Sequence, residues 1–302
     1  MKGKHKKIKF LLVVLLLLLI GLETIARIII YPPNVPSFTM SSNIKDPNNE
    51  SHNPLSFEDL DLTMKDGYQI NGTMVWADKN SKKFVIYSHG WTNNRKSGLK
   101  YLDPYLDKNY NFYMYDLRGC GENSPYKITM GEMESSDLIE IIDDIRSLYG
   151  DDIKLALHGE SLGSFTSMMV LKDVSNIEFC VSDCGYSSIE DVITSNLKEH
   201  HIPGFIYHPL SQYVRLRFNE NWNDFDARAS LSQSKTPILF MQGMLDETVH
   251  PWMTEALYES SIASIKEVHY FEEAAHIKSQ KSDPIRYKKI MIDFINRVEM
   301  QQ

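Results

Sequence analysis

Gly159-Glu160-Ser161-Leu162-Gly163 is the stretch whose reading decides the fold. The apolar run Ile153 to His158 before it reads as a buried strand. Phe165, Met168, Met169 and Leu171 after it read as the inner face of a helix. A serine on a strand-turn-helix corner is held in a tight conformation that pushes its hydroxyl out at the end of a sheet. Glycines two positions to either side let neighbouring elements approach where a Cβ would block them. Such a serine is a nucleophile only if the rest of the chain supplies a base, an orienting acid and an oxyanion site.

Working outward, short apolar segments alternate with helical ones. Strands are expected at Phe84 to Ser88, Phe112 to Tyr115, Ile153 to His158, Ile177 to Val181, Ile238 to Gln242 and Val268 to Phe271. Helices are expected at Lys96 to Lys108, Glu132 to Tyr149, Leu162 to Asp173, Trp252 to Ser260 and Pro284 to Val298. This alternation implies an α/β fold, a mostly parallel, doubly wound sheet covered on both faces. Phe57 to Met64 and Tyr68 to Trp76 flank Lys65-Asp66-Gly67 and read as a leading β-hairpin. Residues 187–235 break the alternation. They carry His200, His201, Phe205, Tyr207, Tyr213, Phe218 and Trp222, and read as a small helical cap over the sheet edge.

The two remaining triad members follow at later strand ends. Asp246 sits in Gly243-Met244-Leu245-Asp246-Glu247-Thr248-Val249, just past one strand, and His276 ends Glu272-Glu273-Ala274-Ala275-His276, past the next. Ser161, Asp246, His276 is the chain order of a hydrolase triad on a doubly wound sheet. His5 and His52 precede the fold, and His200, His201 and His208 lie in the cap. His158 and His269 lie within strands, and His250 follows the Asp246 loop. Asp183, one strand earlier, is the alternative acid and is read as structural or substrate-facing. The oxyanion site needs two backbone N–H groups. Leu162, at the helix N-terminus, and Trp91, in Ser88-His89-Gly90-Trp91-Thr92, are the expected donors. His89 is read as bracing its turn, and Arg118 in Asp116 to Gly121 as holding loops together.

These pieces, His89-Gly90-Trp91, Asp116 to Gly121, Gly159 to Gly163, Asp246 in Gly-x-x-Asp-x-x-Val and Ala275-His276, make residues 57 to 298 resemble the α/β-hydrolase superfamily. Within it they are similar to membrane-anchored bacterial serine hydrolases of the dienelactone-hydrolase and prolyl-oligopeptidase-like kind. The resemblance implies a hydrolase without cofactor or metal, using Ser161, Asp246 and His276. Two departures fall in one turn: Asn123 stands where many relatives have serine, and Cys120 where they have histidine.

Length and composition agree with one large globular domain bearing a short appendage, taken as 57–302: of 302 residues, 42% are hydrophobic and 24% charged. From residue 31 onward 26 basic residues meet 39 acidic ones, a net −13 that phosphate backbones would repel, so nucleic acid is excluded as a partner. The three cysteines show no metal spacing. Cys180 and Cys184, four apart in an apparent strand, stand about 13 Å apart and beyond disulfide reach.

At the front, residues 1–9 hold Lys2, Lys4, Lys6, Lys7 and Lys9, and residues 10–30 are apolar apart from Glu23, Thr24 and Arg27. As a helix, 10–30 is about 31 Å long, enough to cross a bilayer core. The lysine cluster places the N-terminus in the cytoplasm and the body outside. The segment is read as an uncleaved signal anchor, with removal after Thr24-Ile25-Ala26, giving a secreted chain, as the alternative. Residues 31–56, rich in proline and asparagine, read as a linker. The functional expectation is a membrane-anchored serine hydrolase acting on a small-molecule ester or acyl substrate, most readily a carboxylesterase. Peptidase or amidase activity, acyl transfer, and a catalytically silent binding module are the alternatives.

Overall fold

The computed structural model describes residues 2–33 and 55–301, so most of the expected linker lies outside the described residues. The chain opens with helix α1 (Lys2–Ile30), longer than the apolar run because the lysines before it are themselves good helix formers. Strands β1 (Ser56–Asp59), β2 (Leu62–Thr63), β3 (Gln69–Ile70) and β4 (Gly72–Trp76) form the leading antiparallel layer, with β1 paired to β4 and β2 to β3. The single strand expected over Tyr68 to Trp76 is divided at Asn71. That residue's backbone N–H and side-chain amide both donate to Asn123 Oδ1, at 2.8 and 2.7 Å, which takes it out of the ladder.

The remainder alternates as expected: β5 (Lys83–Ser88), α2 (Leu102–Asp107), β6 (Tyr110–Tyr115), α3 (Glu132–Tyr149), β7 (Lys154–Glu160), α4 (Leu162–Val170) and β8 (Ile177–Asp183). The helix expected over Lys96 to Lys108 is a 3-10 turn, Arg95–Tyr101, followed by α2. Pro104 lies in the first turn of α2, where its missing N–H costs nothing. The cap contains α5 (Ile189–Glu199), α6 (Tyr207–Phe218) and α7 (Ala227–Leu231), and β9 (Ile238–Gly243), α8 (Pro251–Ser260), β10 (Lys266–Phe271), α9 (Ser279–Ser282) and α10 (Pro284–Glu299) complete the fold.

Eight strands form one sheet in the order β1-β4-β6-β5-β7-β8-β9-β10. From β6 to β10 every pairing is parallel. Both faces are covered. Leu155 and Leu157 of β7 join α3, α4 and the cap in one core, while Ala156, on the opposite face, joins α2 and α10 in the other. In α10 the stripe Tyr287, Met291, Phe294 and Val298 is buried. The strand order reverses beside β5, with β6 on one side and β7 on the other, and ligands bind such sheets outside the carboxyl ends at that switch point.

The last two turns of α1 do not stand free. Ala26 and Ile30 are wholly buried, and Leu22, Ile25 and Ile29 pack against the body's core. Glu23 Oε2 accepts from the Tyr213 hydroxyl of α6 at 2.5 Å. The Ile30 carbonyl accepts from Ile128 N–H at 2.8 Å, and the Ile29 carbonyl from the Trp91 indole N–H at 3.1 Å. The residues from Phe10 to Ile20 are exposed.

Candidate active site

Ser161 stands between β7 and α4 with φ +52° and ψ −116°, a left-handed conformation that a non-glycine residue adopts only at a cost of about 1–3 kcal/mol. Two hydrogen bonds hold it there. Its N–H donates to the Asp183 carbonyl at 2.9 Å, and its carbonyl accepts from Phe165 N–H at 2.9 Å. Gly159 and Gly163 are required by close approach: a Cβ on Gly159 would overlap the Gly163 carbonyl, and one on Gly163 the carbonyls of Ser88 and His89.

The three residues singled out in the sequence meet here. The Ser161 hydroxyl lies 3.0 Å from His276 Nε2, and His276 Nδ1 donates to Asp246 Oδ2 at 2.7 Å. Asp246 is buried, and its other oxygen accepts from the N–H groups of Thr248 and Val249 at 2.9 and 2.8 Å. With both oxygens engaged, the carboxylate cannot turn away from the imidazole. Ser161 is 7% exposed, at the floor of a cavity of about 640 Å³ whose lining includes Trp91, Leu162, Tyr186 and His276. Gly90 lies against Ser161, placing the Trp91 loop beside the serine.

Asp183 has a different setting. Its Oδ2 accepts from the hydroxyls of Tyr101 and Tyr287 at 2.9 and 3.1 Å, behind the elbow and away from His276. Burial pushes its carboxyl up to about 6, against the opposing pull of Lys100 and the two phenols. An aspartate in the unfolded chain titrates near 3.9. The native state therefore holds this proton more tightly. The associated stability is complete below about pH 4 and is lost as pH rises through about 6, a loss of roughly 2–3 kcal/mol. Asp183→Asn is expected to flatten that slope, read as urea midpoints between pH 4.5 and 7.5. Equal slopes in the two proteins would refute the assignment.

Glu160, unremarked in the sequence, is fully buried beside Ser161. It is braced by Lys100 Nζ at 2.8 Å, Tyr101 Oη at 3.1 Å and Asn93 Nδ2 at 3.0 Å. Burial alone would raise its carboxyl, but Lys100 and the hydrogen bonds outweigh that and leave it below the ordinary range. A glutamate inside an elbow carries no sequence signal for a partner 60 residues earlier.

His89 and Arg118 brace loops, as read. The Gly90 carbonyl accepts from His89 Nδ1 at 2.7 Å, and His89 Nε2 accepts from Leu117 N–H at 2.9 Å. Burial depresses the protonation of this ring. Arg118 donates to Asp137 at 2.9 and 2.6 Å and to Asp66 at 2.8 Å, with its guanidinium over the ring of Tyr68. Asn123 ties the Asp116 and Leu117 carbonyls to Asn71.

Cys184 falls just past β8 rather than within it, at φ +45°, and is a free, buried thiol like Cys120 and Cys180. With Asp246 and His276 it forms a group whose ligand atoms lie within 4.8 Å of one another. Two members of that group, His276 and Asp246, are already hydrogen-bonded to each other.

The chain has the alpha/beta hydrolase fold. The family model described as alpha/beta hydrolase fold matches residues 83–202. Among curated relatives it is similar to the uncharacterized protein YqkD of Bacillus subtilis, 24% identical over 236 residues and 77% of each chain. It is also similar to an uncharacterized membrane protein of Saccharomyces cerevisiae, 28% identical over 246 residues and 80% of each chain. Among solved structures the esterase Pf2001 of Pyrococcus furiosus superposes with a TM-score of 0.71 at 19% identity, covering 89% of this chain and 98% of that one. An acylaminoacyl peptidase of Pyrococcus horikoshii superposes with a TM-score of 0.62 at 15% identity, covering 80% of this chain and 42% of that one.

Proposed function

We propose that this chain is a membrane-anchored serine hydrolase that cleaves carboxylic esters through an acyl-enzyme on Ser161. The observation that carries the reading is the hydrogen-bonded series Ser161, His276, Asp246 at the floor of one cavity. A serine hydroxyl is a poor nucleophile until a base accepts its proton. His276 Nε2 takes that proton as Ser161 Oγ bonds to the ester carbonyl carbon, while Asp246 holds the Nδ1–H tautomer and stabilises the imidazolium. The negative charge on the carbonyl oxygen is received by the backbone N–H groups of Leu162 and Trp91, the first aided by the start of α4. As the tetrahedral adduct collapses, the ester C–O bond breaks and His276 returns the proton to the leaving alkoxide. Water then repeats the sequence against the acyl-serine and releases the carboxylic acid.

A fluorophosphonate probe is the direct test, because it bonds only to an activated serine. A single adduct on the peptide containing Ser161, with turnover of p-nitrophenyl acetate, is the expected result. An intact protein that neither labels nor turns over the ester would sink the reading and leave a silent binding module in its place. An acid product that gives way to a new ester on adding alcohol would instead point to acyl transfer by the same acyl-serine.

The exposed apolar turns of α1, and a yeast relative described as a membrane protein, support membrane anchoring. The orientation we propose puts the lysine-rich end in the cytoplasm and the body outside. Protease added to intact cells is then expected to remove the body, and full protection would overturn that orientation.

A further inference from the structure

Three residues of the anchor helix, Ile25, Ile28 and Ile29, line the cavity that contains Ser161 and His276. They recur at i, i+3 and i+4 and so share one face of α1. Val192, Ile193 and Leu197 of α5 and Ile202 beyond it line the same cavity, beside the polar Asn196, His200 and Thr248. The pocket is therefore completed by the segment that reaches into the bilayer.

Geometry sets the height of that wall. A crossing takes about 20 apolar residues. The free turns from Phe10, the first residue after Lys9, to Gly21 rise only about 18 Å at 1.5 Å per residue, short of the roughly 30 Å of hydrocarbon. A crossing that begins at Phe10 ends at Ile29, so it consumes the docked turns as well. Ile25, Ile28 and Ile29 then stand at the boundary between the acyl chains and the outer headgroups, and the cavity beside them opens at the same level.

We propose that the substrate is an acyl-chain ester resident in the membrane, its chain passing from the bilayer along Ile25, Ile28 and Ile29 to place the ester carbonyl at Ser161. The proposal rests on the serine-hydrolase reading above. The chemistry is the same: the acyl group transfers to Ser161 Oγ, the alcohol portion leaves with the proton from His276, and water frees the fatty acid.

The test uses the full chain reconstituted in phosphatidylcholine vesicles. p-Nitrophenyl palmitate is supplied either partitioned into those vesicles or carried by albumin in the water, and p-nitrophenyl acetate is the short-chain reference. Vesicle-borne palmitate is expected to be turned over at least tenfold faster than albumin-borne palmitate at equal total concentration. Ile29→Trp, which fills the helix side of the cavity, is expected to lower the palmitate-to-acetate ratio of kcat/KM at least tenfold. Ile28→Ser, at an exposed position, is the second variant and is expected to lower that ratio severalfold. Fluorophosphonate labelling of Ser161 reports in each case that the triad is assembled. Labelling and acetate turnover without preference for vesicle-borne palmitate would overturn the lipid inference and leave the hydrolase reading standing. An unchanged ratio in both variants would do the same. Loss of labelling and of all turnover in the unaltered chain would instead fell the hydrolase reading itself.

Discussion

Ser161→Ala is expected to lower ester turnover by on the order of 10⁵-fold and to abolish fluorophosphonate labelling, while leaving the fold intact. The loss is large because the substitution removes the hydroxyl that His276 faces. His276 Nε2 faces Ser161 Oγ at 3.0 Å, and the residual rate would come only from water, binding and the oxyanion donors. The fold is expected to survive because the substitution removes one oxygen and keeps the backbone bonds of residue 161 to Asp183 and Phe165. The strain of φ +52° belongs to any non-glycine residue there, so alanine inherits it. Turnover and labelling of the purified variant are the measurements. Labelling that persists, at another serine or at none that can be mapped, would remove Ser161 from the mechanism.

Asp246→Asn is expected to reduce kcat by about 10⁴-fold, whereas Asp183→Asn is expected to cost less than tenfold. Both carboxyl groups are buried at strand ends, and in the sequence they compete for one role. Their partners separate them. Asp246 accepts the His276 Nδ1 proton at 2.7 Å, and an asparagine amide turned toward that nitrogen would select the wrong tautomer and leave Nε2 carrying a hydrogen. Asp183 is held by Tyr101 and Tyr287 and bonds to Ser161 through its backbone carbonyl, which the substitution preserves. Comparing kcat for the two variants decides the matter. Equal losses would mean that the acid has been misassigned.

The frame of the molecule was legible because local signals agreed with the global fold. The short apolar runs at β5, β7 and β9 admit little but buried strands, and the Ser161, Asp246, His276 order selected one topology for them. What escaped reading depends on contacts distant in sequence. Asn71 divides a strand because Asn123 captures it, and neither residue announces the other. Lys100 meets Glu160, 60 residues later in the chain, only once the sheet has formed. The isoleucines of α1 were visible as apolar, but a lipid-facing side chain and one lining a cavity look identical in a chain of letters. Only the docking of α1 beside α6 distinguishes them.

The buried position of Ala26 bears on maturation. Thr24-Ile25-Ala26 is the alternative cleavage site read in the sequence, a poor one, and in the folded chain it is helical, with Ala26 fully enclosed. Proteolysis needs an accessible, unwound segment, so removal of the leader must precede docking or not occur. A chain cut after Ala26 would also lose Ile25, one of the three isoleucines of α1 that line the pocket, and the Glu23 contact to Tyr213. Retained and processed forms would therefore differ in the lining of the cavity beside Ser161, so the fate of this one peptide bond would reshape the pocket.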